Sequence, residues 1–440
     1  MKEEIYMKNS MELTRLIKED MRPALGVTEP GAIAFAVAKA KQYTEGEVLK
    51  VKVLLNSGMY KNAFTCGIPN SSRYGNLYAA ALGAVAAKAE LGLESLAEIT
   101  PKDDEKAAQM VEEGKVEVLL DHIGSEITID ATVETMNDFC TVHIRGGHTE
   151  IKSIEKNGET IYKEEKASDG ADERASEENG EDIPVIHKYT LAQILEYVAN
   201  VPKEDILFIR DAFAMNMELL EEGLSSDRAV IAHQLLKENG NGKVSKDILK
   251  TAQLLCNGAI EARVLGLSRP AMSITGSGAH GIIATMPLYA YYKVTEMDDD
   301  DALLRATALS YLITMYIKEY SGKLSAFCGC GIAAGTGMAC GLGYLQGADL
   351  AQQTMIIQNM ASGLTGMICD GGNHGCAMKG IVATDAAFRS VDLALKNVCI
   401  SGIHGINGKN AEDTMRHMGL IASPGMVQTE KTIVDIMEQK

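Results

Sequence analysis

The chain has 440 residues, of which 46% are hydrophobic and 23% charged, and carries a formal net charge of -18. That length allows two or three domains with buried cores, and the acidic balance argues against nucleic acid or an anionic membrane surface as a partner. No tryptophan and an aromatic content of 5% leave little from which to build a base-stacking platform.

Met1 to Ser10 contains no apolar core of signal-peptide length. The longest apolar stretches, near 79–87 and 332–346, are rich in glycine and alanine and too short to span a bilayer. The expected location is the cytoplasm, where the nine cysteines serve as free thiols or ligands rather than disulfides. A homo-oligomer is the expected assembly.

Residues 10–20 read as a helix with Asn9 or Ser10 as its cap. In the following Pro23–Gly31 segment, Thr28 is placed to cap a helix starting near Pro30. The Thr28-Glu29 pair at that helix start suits a small anionic group, and equally a plain cap. Residues 47–55 favour a strand running into a polar turn from Asn56 to Ala63, a position where catalytic residues often sit. A loop from Cys66 to Ser72 and an alanine-rich helix over 76–92 follow.

Between 115 and 163, short alternating runs are separated by Gly124, Asn137, Gly146-Gly147 and Asn157-Gly158. The last pair is a strong hairpin signal. This predicts a small antiparallel sheet that shares the strand at 47–55. His143 and His148 lie in it and read as structural histidines. Residues 164–183 are acidic and nearly free of apolar side chains, which predicts a loop or linker over 166–188. From 189 onward helical periodicity dominates, over 190–200, 203–220, 228–238, 246–265, 301–319, 348–363, 381–397 and 411–420. Within that half, Ser273 to Gly281 is a Gly/Ser loop opening an apolar helix, and its N–H groups suit a carboxylate or phosphate.

The expected fold is therefore α+β. A mainly helical domain takes residues 1–45 and 189–440, and a smaller α/β domain with an antiparallel sheet takes 46–165. The chemistry concentrates at 324–380. There Cys328-Gly329-Cys330-Gly331 and Cys369-Asp370-Gly371-Gly372-Asn373-His374-Gly375-Cys376 flank a small-residue segment able to form two tightly packed helices. Glycine beside cysteine lets the backbone bend and approach a bulky object, and paired cysteine turns suit an iron–sulfur cluster. Cysteines packed as small hydrophobes are the plainer alternative.

On these stretches the chain resembles the iron–sulfur-dependent L-cysteine desulfidases, including UPF0597-type members, and more distantly the α part of iron–sulfur L-serine dehydratases. The matching residues are Gly26-Val27-Thr28-Glu29-Pro30, Ser57-Gly58 with Lys61-Asn62, Gly276-Ser277-Gly278-Ala279-His280-Gly281, the Leu324–Gly337 run and the Met367–Lys379 run. The resemblance implies β-elimination from L-cysteine or L-serine, giving pyruvate, ammonia and sulfide or water, without pyridoxal phosphate. It implies a [4Fe-4S] cluster on Cys330, Cys369 and Cys376, with Cys328 as the other candidate for the third ligand. His280 and Lys61 are the expected catalytic residues. Thr28, Glu29, Ser57, Asn62 and Ser277 are expected to bind the small amino-acid substrate.

Two positions depart from the pattern. Val27 stands where desulfidases carry a cysteine, and Ala279 where an asparagine is common. A second reading follows from them: a divergent, cluster-free member that binds a small amino or hydroxy acid with little or no turnover.

Overall fold

A computed structural model describes residues 2–164 and 183–440. Most of the acidic segment expected to be a linker therefore lies outside the described residues. The chain opens with α1 (Lys2–Asp20), which starts well before the cap expected from the sequence, then β1 (Arg22–Leu25) and α2 (Thr28–Lys41). Next come β2 (Val48–Asn56), α3 (Ser57–Ala63), α4 (Gly75–Val85) and α5 (Pro101–Glu112). The expected polar turn after β2 is thus a short helix. α5 has a capping box, in which Thr100 accepts the Asp103 N–H and the Asp103 side chain accepts in return.

The strands β3 (Val116–His122), β4 (Thr128–Thr135), β5 (Phe139–Arg145), β6 (Ile151–Lys156) and β7 (Glu159–Lys163) join β2 in a six-stranded sheet of order β3-β2-β4-β5-β6-β7. The strand at 47–55 is shared as expected, and Asn157, at positive φ, turns the β6–β7 hairpin. The sheet is mixed, however, because β3 pairs parallel to β2 while the other pairs are antiparallel. A parallel pair needs a long crossover, supplied here by α4 and α5. Alternation sets one face: Val51, Val53, Leu55, Ile129, Ala131, Val133, Val142 and Ile144 are buried, packing with α2 and α4 in one core. α2, from the segment grouped by sequence with the helical half, belongs to this core.

After a helical turn over Val185–Lys188 the chain is helical. It forms α6 (Leu191–Asn200), α7 (Arg210–Leu224), α8 (Val230–Glu238) and α9 (Ile248–Val264), with β8 (Pro270–Ser273) paired antiparallel to β1. Then come α10 (Gly278–Val294), α11 (Asp301–Ser321), α12 (Gly335–Leu345), α13 (Leu350–Leu364), α14 (Gly375–Leu395), α15 (Ala411–Leu420) and α16 (Val427–Met437). α11 is buried almost all round, as a helix at the centre of a bundle must be. The small residues of α12 let it approach closely. A Cβ at Gly337 would collide with the Ser310 carbonyl of α11, and one at Gly341 would lie 2.8 Å from Leu288. These helices share a second core with α1. Among the described residues no helix is long and apolar enough to cross a membrane.

Candidate functional site

The two cysteine runs are laced side by side. Cys328 N–H donates to Met367 O at 3.1 Å and Cys369 N–H to Ala326 O at 2.6 Å, around a bridge between Phe327 and Ile368. Cys330 opens a π-helical turn, Cys330–Ala334, that leads into α12, the kind of widened turn common at functional sites. Cys376 lies in the first turn of α14 and its N–H donates to Asn373 O at 2.9 Å. Gly329 is needed for close approach, since a Cβ there would lie 2.6 Å from His280 Nε2.

These runs form one wall of a cavity of about 670 Å³. Both cores contribute: the β5–β6 turn brings Gly147 and His148, α2 brings Thr28 and Glu29, and α9 brings Arg263. Cys330, Cys369, Cys376, Asn62, Ser277 and His280 line the same space. Asn62 Nδ2 donates to Glu29 Oε1 at 2.8 Å. Thr28 Oγ1 donates to Gly276 O at 3.3 Å, tying the start of α2 to the glycine loop.

Two expected residues sit elsewhere. Ser57 Oγ exchanges hydrogen bonds with the Gly124 backbone at 3.2 and 3.3 Å and is absent from the cavity lining. Lys61 lies fully buried behind the wall. Its Nζ donates to Cys369 O at 3.0 Å, Ser325 O at 3.3 Å and Asn62 Oδ1 at 3.1 Å, and stands 3.6 Å from Glu430. It holds both cysteine runs by their carbonyls rather than facing the space. Val27 packs its methyls against the second run, where a Cβ on Gly372 would meet them at 2.9 and 3.0 Å.

Charge in the cavity follows from burial and neighbours. Burial pushes the Glu29 carboxyl up, but His148, Asn62 and Arg263 outweigh it and hold the pKa at about 2. His148 Nε2 is 3.9 Å from Glu29 Oε1, an ion-pair distance, and has no hydrogen-bond partner among the described residues. Burial, reinforced by Lys318 and Arg263, pushes His280 well below the usual histidine range. Thr275 Oγ1 donates to Ile274 O at 2.8 Å and lies 2.6 Å from His280 Nδ1. With its proton committed to that carbonyl, the Thr275 oxygen accepts from His280 Nδ1–H, leaving the Nε2 lone pair open. Burial lowers the Lys318 ammonium, partly offset by Cys330 and Cys369, while its Nζ donates to Gly322 O at 2.8 Å.

Arg263 is the residue that sequence reading missed. It is only 5% exposed, its Nε has no hydrogen-bond partner among the described residues, and it lines the cavity. In sequence it is one more cation in the last turn of a helix; only the fold shows it buried beside the cavity, where it acts on Glu29. His148, read as structural, and Lys318, unmarked by any motif, also reach the cavity. His143, by contrast, is engaged with Asp130 at 2.7 Å on the sheet.

Among the described residues no group of three or more His, Cys, Asp or Glu side chains is disposed to hold a single metal ion. A cluster makes a different demand, because its thiolates are shared out over several irons around one space. Cys330, Cys369 and Cys376 face one cavity, with the charges of Lys61, Lys318 and Lys379 close by. That donor chemistry fits an iron–sulfur cluster.

The sequence pattern of the family described as serine dehydratase alpha chain matches residues 90–435. A UPF0597 protein of Clostridium botulinum (strain Langeland) is 41% identical over 425 residues, covering 97% of this chain and 98% of its own. A UPF0597 protein of Caldanaerobacter subterraneus is 35% identical over 433 residues (98% and 99%), and one of Clostridium tetani 34% over 427 (97% of each).

Proposed function

Because the chain belongs to the serine dehydratase alpha chain family, we propose that it is a lyase that removes the β-substituent of L-cysteine or L-serine. The products are pyruvate, ammonia and sulfide or water. Cys330, Cys369 and Cys376 would hold a [4Fe-4S] cluster, which when bound supplies a Lewis-acidic iron for the departing sulfur or oxygen.

One observation carries the reading: Arg263, buried and with no hydrogen bond to its Nε among the described residues, lines the same cavity as the three thiols. A planar guanidinium with an uncommitted N–H suits the carboxylate of a ligand. Glu29, ionised and fixed by Asn62, suits the substrate ammonium. With both ends of the amino acid anchored, His280 Nε2 is the group to take the Cα proton, since its other nitrogen is committed to Thr275. Lys61 acts as a positioning residue by holding the Cys369 and Ser325 carbonyls.

Binding without turnover is favoured by one observation, the Val27 methyls packed on Gly372 where the resemblance calls for a thiol. Anaerobic purification separates the two. The lyase reading expects iron and sulfide in comparable amounts and pyruvate from L-cysteine. Cys376→Ser should bleach the protein, and Val27→Cys should improve cluster retention at a cost of about 1 kcal/mol or less to the fold. Colourless protein after reconstitution, with no pyruvate, supports binding alone.

A further inference from the structure

The cavity, of about 670 Å³, has to admit both the proposed cluster and an amino acid, and its volume lies within the roughly 300–1,000 Å³ typical of ligand sites. Part of that space lies beside the thiols and Arg263. Leu16 of α1, Val185 and Ile186 of the 185–188 turn, and Met315 of α11 also line the cavity and give it an apolar lobe. These apolar side chains share the helical core, where α1 and the turn both pack on α11. Met315 and Lys318 lie one turn apart on α11, so the lobe is continuous with the polar end.

The charged groups near the lobe are of both signs, with Lys318 one turn beyond Met315. Asp20 is one turn beyond Leu16 and Glu319 one turn beyond Met315, and both line the cavity. Lys323, which also lines it, donates to Gly146 O. A ligand group entering the lobe meets aliphatic side chains. An apolar group is favoured there over a charged one, which would lose its hydration.

Resting on the lyase reading above, we infer that the substrate class includes L-cysteine bearing an apolar substituent on sulfur, with that substituent seated in the Leu16–Met315 lobe. The step balances without a further reagent. The Cα–H and Cβ–S bonds break, and the sulfur leaves with the bonding pair and takes up the proton lost from Cα, giving a free thiol. Water then converts the remaining aminoacrylate to pyruvate and ammonium.

The test compares L-cysteine, S-benzyl-L-cysteine and S-carboxymethyl-L-cysteine as sources of pyruvate with the anaerobically prepared protein. S-benzyl-L-cysteine should exceed L-cysteine in kcat/KM by about tenfold or more, within the 10–200-fold range that apolar pocket contacts give. S-carboxymethyl-L-cysteine should fall below both. Before cluster reconstitution, S-benzyl-L-cysteine should also raise the thermal midpoint more than L-cysteine does. Leu16→Trp, which fills the lobe, should move the ratio of benzyl to plain substrate toward L-cysteine. Val185→Trp gives the same readout if the first variant fails to fold. Turnover that favours L-cysteine, or a ratio that neither variant moves, overturns this inference and leaves the lyase reading standing. No pyruvate from any of the three overturns both.

Discussion

At the scale of single residues, Arg263 and His280 carry opposite burdens. Burying a cation without a partner is costly unless a ligand supplies the counter-charge. Arg263→Met keeps most of the packing but also removes a charge that stabilises ionised Glu29, so its role is read at the substrate rather than in thermal melting. The same change should raise KM roughly ten- to a hundredfold, from the ~1.5–3 kcal/mol of a hydrogen bond to a charged group. An unchanged KM would refute the carboxylate role. His280 is buried in the neutral form, with its pKa below the usual histidine value. Its lone pair should stay available as pH falls through 6.5, so the acid limb of kcat/KM should lie below that of an ordinary histidine. Stability moves the other way in the same window. Below the unfolded pKa of about 6.5 the unfolded chain binds a proton that the folded chain refuses. The His280 contribution is therefore full at neutral pH and declines as pH drops. His280→Gln should flatten that decline in denaturant titrations at pH 5 and pH 7.

At the scale of elements, the glycine–cysteine runs and the glycine loop were legible because their chemistry is local: a sharp turn and its thiols sit within ten residues. Long helices such as α9, α11 and α13 were legible from their periodicity, and α13 adds a capping box between Asp349 and Gln352. The parallel β2–β3 pair was not, since its register is set by strands more than sixty residues apart. Nor were Arg263, His148 and Lys318, which come from a helix end, a hairpin and a central helix with no shared motif. At Cys330 the sequence showed a glycine-flanked turn but not that it takes the widened helical form. The β2–α3 junction shows how local reading misassigns a role. Ser57 and Lys61 sit in a motif-like stretch, yet one secures the Gly124 loop and the other secures the site from behind.

At the scale of the molecule, α16 joins the two cores. Val434 packs with the sheet and Ile433 and Met437 with the helices, while Glu430 reaches Lys61 at 3.6 Å. Burial pushes the Glu430 carboxyl up, and Lys61 and Ser57 only partly offset this. Removing one partner strands the other charge. Lys61→Met should therefore cost about 3–5 kcal/mol in chemical denaturation, and adding Glu430→Leu should recover much of it. Equal stability of the single and double variants would show that the pair is not coupled. The same contact sets an order of events during synthesis. Lys61 leaves the ribosome before Cys330, Cys330 before Cys369 and Cys376, and Glu430 after all of these. The thiol wall can be assembled only once these distant segments are present together. A cluster of the kind proposed above would therefore be inserted after Cys376 has been made rather than while Cys330 stands alone.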